Sequence, residues 1–310
     1  MADPVPGIRH RDAKEGDRSR GSRLANLFIS PGDRRLRAAW RLAIQFALLL
    51  VLTTLLITLL FSIGAPLGIR AGIPLLLETQ LSTTLGVTLS VYLARRWLDR
   101  RSFTSLGLQT DRHGIPDFLF GFALLGGLTA ARALVGWSLG WFTFEGFAWQ
   151  VQPPAELLMG LIVSLSILAT VAWTEELFYR GYFLQNVKEG WNLKAAVILT
   201  SLLFAAVHTD STVSGYVQLF CGGLLLGFAY LRTLRLWLPI GLHLGWNFFG
   251  LTIVGVLGSY PYNVGLVPLV EVSSHAPRVA GPVSASSLMG ILGLGLAAAG
   301  VFLYTRNRKG

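Results

Sequence analysis

Six polar side chains in the second half of the chain stand inside strongly apolar sequence: Glu175, Glu176, Arg180, His208, His243 and Asn247. Charge at membrane depth is costly unless paired or solvated, so each needs a physical reason. Helical spacing sorts them. In Trp-Thr-Glu-Glu-Leu-Phe-Tyr-Arg, Glu176 and Arg180 are four apart and share a face, so they can form an ion pair. Glu175 is turned about 100° from Glu176 and remains available for chemistry. His243 and Asn247 are also four apart, presenting an imidazole and an amide on one face, and Phe204 and His208 repeat that spacing. A carboxylate and an imidazole beside one water make a general base. An imidazole N–H and an asparagine N–H can stabilise an oxyanion. That set is the minimum for hydrolysing an amide. Two histidines and a glutamate also match a catalytic zinc site, which makes Glu175, His208 and His243 the candidate ligands of a divalent metal such as zinc. Any one of these residues alone reads as polar glue between helices. Five ionisable groups on three segments do not.

The elements that must position them are membrane helices. The chain has 310 residues, 53% hydrophobic and only 14% charged, with mean hydropathy +0.57. Soluble domains carry about 25% charged residues, which argues against a soluble protein. The single cysteine, Cys221, excludes a disulfide scaffold and a cysteine-based structural zinc site. The net charge of +10 does not indicate nucleic acid, because half of it sits in residues 1–41 ahead of the first apolar run. That arm reads as a basic, solvated cytoplasmic tail beside anionic lipid headgroups.

Eight apolar segments follow: Leu42–Ser62, Pro74–Ala94, Phe118–Gly140, Leu157–Trp173, Ala195–His208, Gly215–Leu231, Leu236–Leu257 and Leu288–Tyr304. With the N-terminus inside, the cytoplasmic segments 1–41, 95–116, 181–194, 232–235 and 305–310 hold 22 of the 26 basic residues. The positive-inside rule therefore predicts an all-α, polytopic transmembrane helix bundle of about eight spans with both termini cytoplasmic. The expected divisions are a tail (1–41), spans one to three (42–155), a catalytic core of spans four to seven (156–257), and an outer loop, last span and basic C-terminus (258–310). The expected location is a multi-pass position in the plasma membrane. Glu78 and Arg132 read as a structural ion pair or as side chains snorkelling to headgroups. Gly136-Trp-Ser138-Leu-Gly140 matches a serine-hydrolase pattern but sits in apolar helix, so chance explains it. The 258–286 stretch, with four prolines, reads as a loop without periodicity.

Taken together, Glu175-Glu176-x-x-x-Arg180, Phe204-x-x-x-His208 and His243-x-x-x-Asn247 resemble the three motifs of the CPBP intramembrane proteases. These are the CAAX proteases and bacteriocin-processing enzymes, or Abi family, which include the type 2 CAAX prenyl endopeptidase. The resemblance covers about 156–250 and has the family's motif order. It implies that Glu175 and His208 position and activate the attacking water, and that His243 and Asn247 stabilise the oxyanion. It also implies that Glu176 and Arg180 hold the helix pair in place. The zinc-protease motif His-Glu-x-x-His is absent, so the chemistry leans towards no tightly bound metal. The expected activity is endopeptidase cleavage of a membrane-associated protein or peptide near the cytoplasmic face. The competing readings are a proton-coupled transporter or channel, because buried Glu and His form proton relays, and a non-catalytic membrane scaffold.

Overall fold

The computed structural model describes residues 26–30, 32, 34–64, 75–208, 212–255, 268–275, 278–280 and 283–307. Most of the expected tail, with His10, lies outside that set, as do residues 258–267 of the expected loop. The architecture is a helix bundle: α1 (Ala38–Gly64), α2 (Leu75–Leu93), α3 (Gly114–Ser138), α4 (Pro154–Glu176), α5 (Leu184–Gly190), α6 (Leu193–Ala206), α7 (Val213–Thr233), α8 (Trp237–Asn247) and α9 (Ala285–Thr305). Each of the eight apolar segments coincides with a helix. Among the described residues, five stretches are long and apolar enough to cross a membrane: Ala38–Ile63, α3, the continuous Pro154–Gly190 rod, α7 and α9. Helix α6 is apolar but only 14 residues long. Helix α2 is diluted by Glu78, Gln80 and a run of Ser and Thr, and α8 is 11 residues before its geometry changes.

Three wide π turns interrupt the helices: Ala94–Leu98 after α2, Leu177–Phe183 between α4 and α5, and Phe248–Ile253 after α8. Nothing in composition distinguishes these stretches from α-helix, and π turns recur at functional positions. Strands also form where only loops were expected. β1 (Phe142–Phe147) pairs antiparallel with β2 (Val270–Ser274), with Phe144 opposite Val272, and β3 (Arg278–Ala280) pairs with β4 (Val283–Ser284). The β1 partner lies more than a hundred residues away, so only tertiary pairing makes this ladder.

The site-bearing helix α8 is seated on α3 by glycine. A Cβ on Gly241 would overlap the carbonyl oxygen of Phe118, and one on Gly245 would overlap that of Phe122. From the other side, a Cβ on Gly121 would lie 2.6 Å from the Leu238 carbonyl oxygen. Backbone meets backbone there, which is how membrane helices gain contact without a hydrophobic driving force.

The basic loops gather at one end of the bundle. Arg41 donates to the buried Asp99 at 2.6 Å and to Glu189 at 3.0 Å, while Arg95 holds the other Asp99 oxygen at 2.8 Å. Arg95 reaches Gln185, whose amide donates to the Tyr230 hydroxyl. Nearby, Arg235 pairs with Asp111. The His113 backbone N–H and that arginine hold the Asp111 carboxyl below the usual carboxylate range. At the same end Tyr304 donates to Asp117, and Arg232 to Thr305. Helix α1 therefore starts, and α9 ends, at the arginine-rich end. Glu78 and Arg132 make no ion pair with each other or with any other described residue.

The α3–α8 contact yields a stability prediction. Gly241→Ala is expected to lower stability by about 1–3 kcal/mol through overpacking. Gly293→Ala, which meets nothing within 4 Å, should change it by less than about 0.5 kcal/mol. Thermal unfolding in detergent micelles checks both, and equal melting of the two variants would contradict this packing.

Candidate active site

Glu175 and Glu176 are the last residues of α4, at the point where the helix widens into its π turn. The Glu176 side chain is fully buried, and so is Arg180, whose Nη1 donates to Glu176 Oε1 at 2.8 Å. Arg180 Nη2 donates to the Gly223 carbonyl of α7 at 3.1 Å, so the guanidinium ties two elements. Gly223 lets the helices approach: a Cβ there would stand 2.9 Å from the Ser201 Cα of α6. The face of the guanidinium lies over the Phe204 ring, 4.7 Å from its centre, a favourable cation–π position.

The same Glu176 oxygen binds His243. Nδ1 of His243 lies 2.9 Å from Glu176 Oε1. With the carboxylate as acceptor Nδ1–H is the donor, and in that tautomer Nε2 is the acceptor nitrogen of the ring. That nitrogen is 3.9 Å from Glu175 Oε2. Glu175 is the exposed member of the acidic pair, with 25% of its side chain accessible, and its Oε2 has no hydrogen-bond partner. Two acceptors at this separation can each take a hydrogen from one water between them. Glu175 also lines a cavity of about 500 Å³, with Leu42 and Phe46 of α1, Phe178, and Leu203 and Val207 flanking it.

His208 follows α6 and is half-buried. Its Nδ1 is 2.7 Å from the Phe204 carbonyl, which fixes Nδ1–H as donor and again leaves Nε2 as acceptor. The Phe204 ring stands between the two imidazoles, 5.1 Å from His208 and 5.8 Å from His243. Asn247 lies one turn beyond His243, half-buried, at the end of α8.

The structure thus gathers Glu175, Glu176, Arg180 and His243 in direct contact, with His208 joined to them through Phe204. Glu175, His208 and His243 are not gathered as a ligand set: among the described residues, no three His, Cys, Asp or Glu side chains stand close enough to hold a metal. The sequence reading missed the His243–Glu176 bond and the Gly223 carbonyl. The glycine itself carries a sequence signal, because Gly223 and Gly227 are small residues four apart, as close helix packing requires. The Gly136–Gly140 pattern is inert by contrast, since the Ser138 hydroxyl is exposed and donates to the Val135 carbonyl of its own helix.

Removing Arg180 would leave Glu176 buried without its cation. Arg180→Ala is expected to cost about 3–5 kcal/mol, the range for breaking a buried pair. Unfolding in mixed micelles measures it, and an unchanged transition would count against the pairing.

Residues 156–249 match the sequence profile of a family described as type II CAAX prenyl endopeptidase Rce1-like. No curated protein matches the chain. The matched segment runs from the first turn of α4 through His243 and Asn247 to the π turn after α8, the same elements that build the acidic and imidazole cluster. The match covers under a third of the chain, and over that stretch the protein is similar to the type II CAAX prenyl endopeptidase Rce1-like family.

Proposed function

We propose that the cluster hydrolyses a peptide bond of a membrane-associated protein or peptide, with Glu175 as the base that activates water. One observation carries this reading: Glu175 Oε2, which has no hydrogen-bond partner among the described residues, lies 3.9 Å from His243 Nε2, and Glu175 itself lines a cavity of about 500 Å³. A water between them gives a proton to Glu175 and attacks the carbonyl carbon. His208, through its free Nε2, holds that water from the α6 side. His243 Nε2 accepts the water's second hydrogen and so aims its oxygen, the Asn247 amide donates to the developing oxyanion, and Glu175 passes the proton it took to the amide nitrogen as the C–N bond breaks. Glu176 keeps the His243 ring in the orientation and tautomer this needs, and Arg180 holds Glu176 in place. The family match favours this chemistry over proton-coupled transport or a non-catalytic scaffold.

The arginine-rich end faces the cytoplasm in this reading, with eight spans and both termini on that side, in the plasma membrane. The cavity wall is mostly apolar, with Gln45, Thr174, Glu175 and Tyr179 as its polar members, which suits a substrate segment carrying an apolar anchor. The partners are therefore that substrate and the bilayer itself, with no role for nucleic acid. Cleavage is proposed to proceed without a tightly bound metal, since among the described residues no third ligand joins Glu175 and His243.

Two outcomes test this. With a quenched fluorescent peptide bearing an apolar anchor, Glu175→Gln is expected to lower kcat by about 10²–10⁴-fold while the protein melts like the parent. Undiminished cleavage by that variant would end the proposed mechanism. Extensive dialysis against a chelator is expected to leave cleavage intact. A loss restored by zinc alone would replace the metal-free scheme with a metal-dependent one.

A further inference from the structure

A second cavity, of about 440 Å³, lies at the arginine-rich end and plays no part in the proposed chemistry. Arg35, Arg37, Arg41 and Arg101 line it, with Ser30 and Glu189. Glu189 organises three of these cations, accepting from Arg41 and Arg101 and standing 3.6 Å from Arg35. Asp99 lies behind Arg41, so four guanidinium groups face two carboxylates and the lining keeps a positive excess.

Donors are also left over. Arg37 uses its Nε on the Asn26 carbonyl, while its two amino groups have no partner among the described residues. Arg41 is 4% exposed, and its Nε has no hydrogen bond although the residue lines the cavity. The first turn of α1 contributes Ala38 and Ala39 to the same wall. The Trp40 and Arg41 N–H groups bond the Arg37 carbonyl, which leaves those of Ala38 and Ala39 without an acceptor among the described residues, and the helix dipole favours an anion there.

Depth selects the ligand. The cavity sits where the apolar face of α1 begins, and the exposed Trp40 and Trp191 flank it, as tryptophans do at the headgroup level. The geometry points to a binding site for the phosphate of an anionic phospholipid headgroup, held by Arg37, Arg41 and Arg101. The Asp99 and Glu189 carboxylates keep the arginines spread in place, and the acyl chains run along α1 into the bilayer. The site stands independently of the protease reading.

The test uses the full chain reconstituted in nanodiscs that contain phosphatidylcholine alone or phosphatidylcholine with phosphatidylglycerol. Bound lipid is counted by native mass spectrometry after gentle extraction. Saturable retention of phosphatidylglycerol is expected, about fivefold weaker in Arg37→Gln and weaker again in Arg37→Gln/Arg101→Gln. Arg306→Gln removes one charge at the same end, away from the cavity, and should leave retention unchanged. Melting curves establish that all variants fold. Equal retention of both lipids, or an equal loss in Arg306→Gln, would overturn the site in favour of diffuse charge attraction. Inorganic phosphate that displaces the lipid and stabilises the detergent-solubilised protein equally well would overturn the lipid assignment.

Discussion

Glu176 is bonded from two sides, and both bonds lie inside the bundle. Stripping water from an ionised carboxylate costs several kcal/mol, and only good geometry with additional hydrogen bonds offsets it. Arg180 supplies the charge and His243 the second hydrogen bond, through the same carboxylate oxygen. Arg180 in turn needs the Gly223 carbonyl and the Phe204 face, so α4, the π turn, α6, α7 and α8 are bound into one arrangement around a single side chain. Glu175, one residue earlier, keeps a quarter of its side chain accessible because the helix turns it away from that arrangement. Two adjacent glutamates thereby acquire opposite environments.

Part of this was readable in the sequence. The four-residue spacing of Glu176 and Arg180 identified the pair correctly because the contact lies within one continuous helical rod. The eight apolar segments and their basic loops foresaw the helices and the single arginine-rich end, since both follow from local hydropathy and charge. The long-range contacts were not readable. The His243–Glu176 bond joins residues 67 positions apart. The pairing of β1 with β2 joins segments more than a hundred residues apart, so no local pattern announces it. The ion pairs of Arg41 with Asp99 and Glu189 make the end of the basic arm part of the fold, where composition alone suggested a solvated tail.

Helix α1 links the two cavities. Its first turn lines the arginine-rich one, and Leu42, Ala43, Gln45 and Phe46 line the one that reaches Glu175. Within the described residues it packs chiefly against α2, with further contact to α5. Its remaining surface is apolar and faces outward, including Leu50, Val51 and Leu55. The wall nearest Glu175 is thus formed by a helix with a largely outward-facing surface, held by its packing on α2 and by ion pairs at the Asp99 and Glu189 end.

The wide turn after Glu176 has one more consequence. A π turn fits an extra residue into nearly the same axial rise, so the position of every side chain beyond it depends on how many residues it holds. Dropping a single residue between Leu177 and Phe183 would let the rod relax into regular α-helix and would swing α5, with Glu189, by about 100° about the axis. Chain length within those seven positions is therefore a determinant in its own right: a relative could keep all six polar residues, lose one spacer here, and no longer build this site.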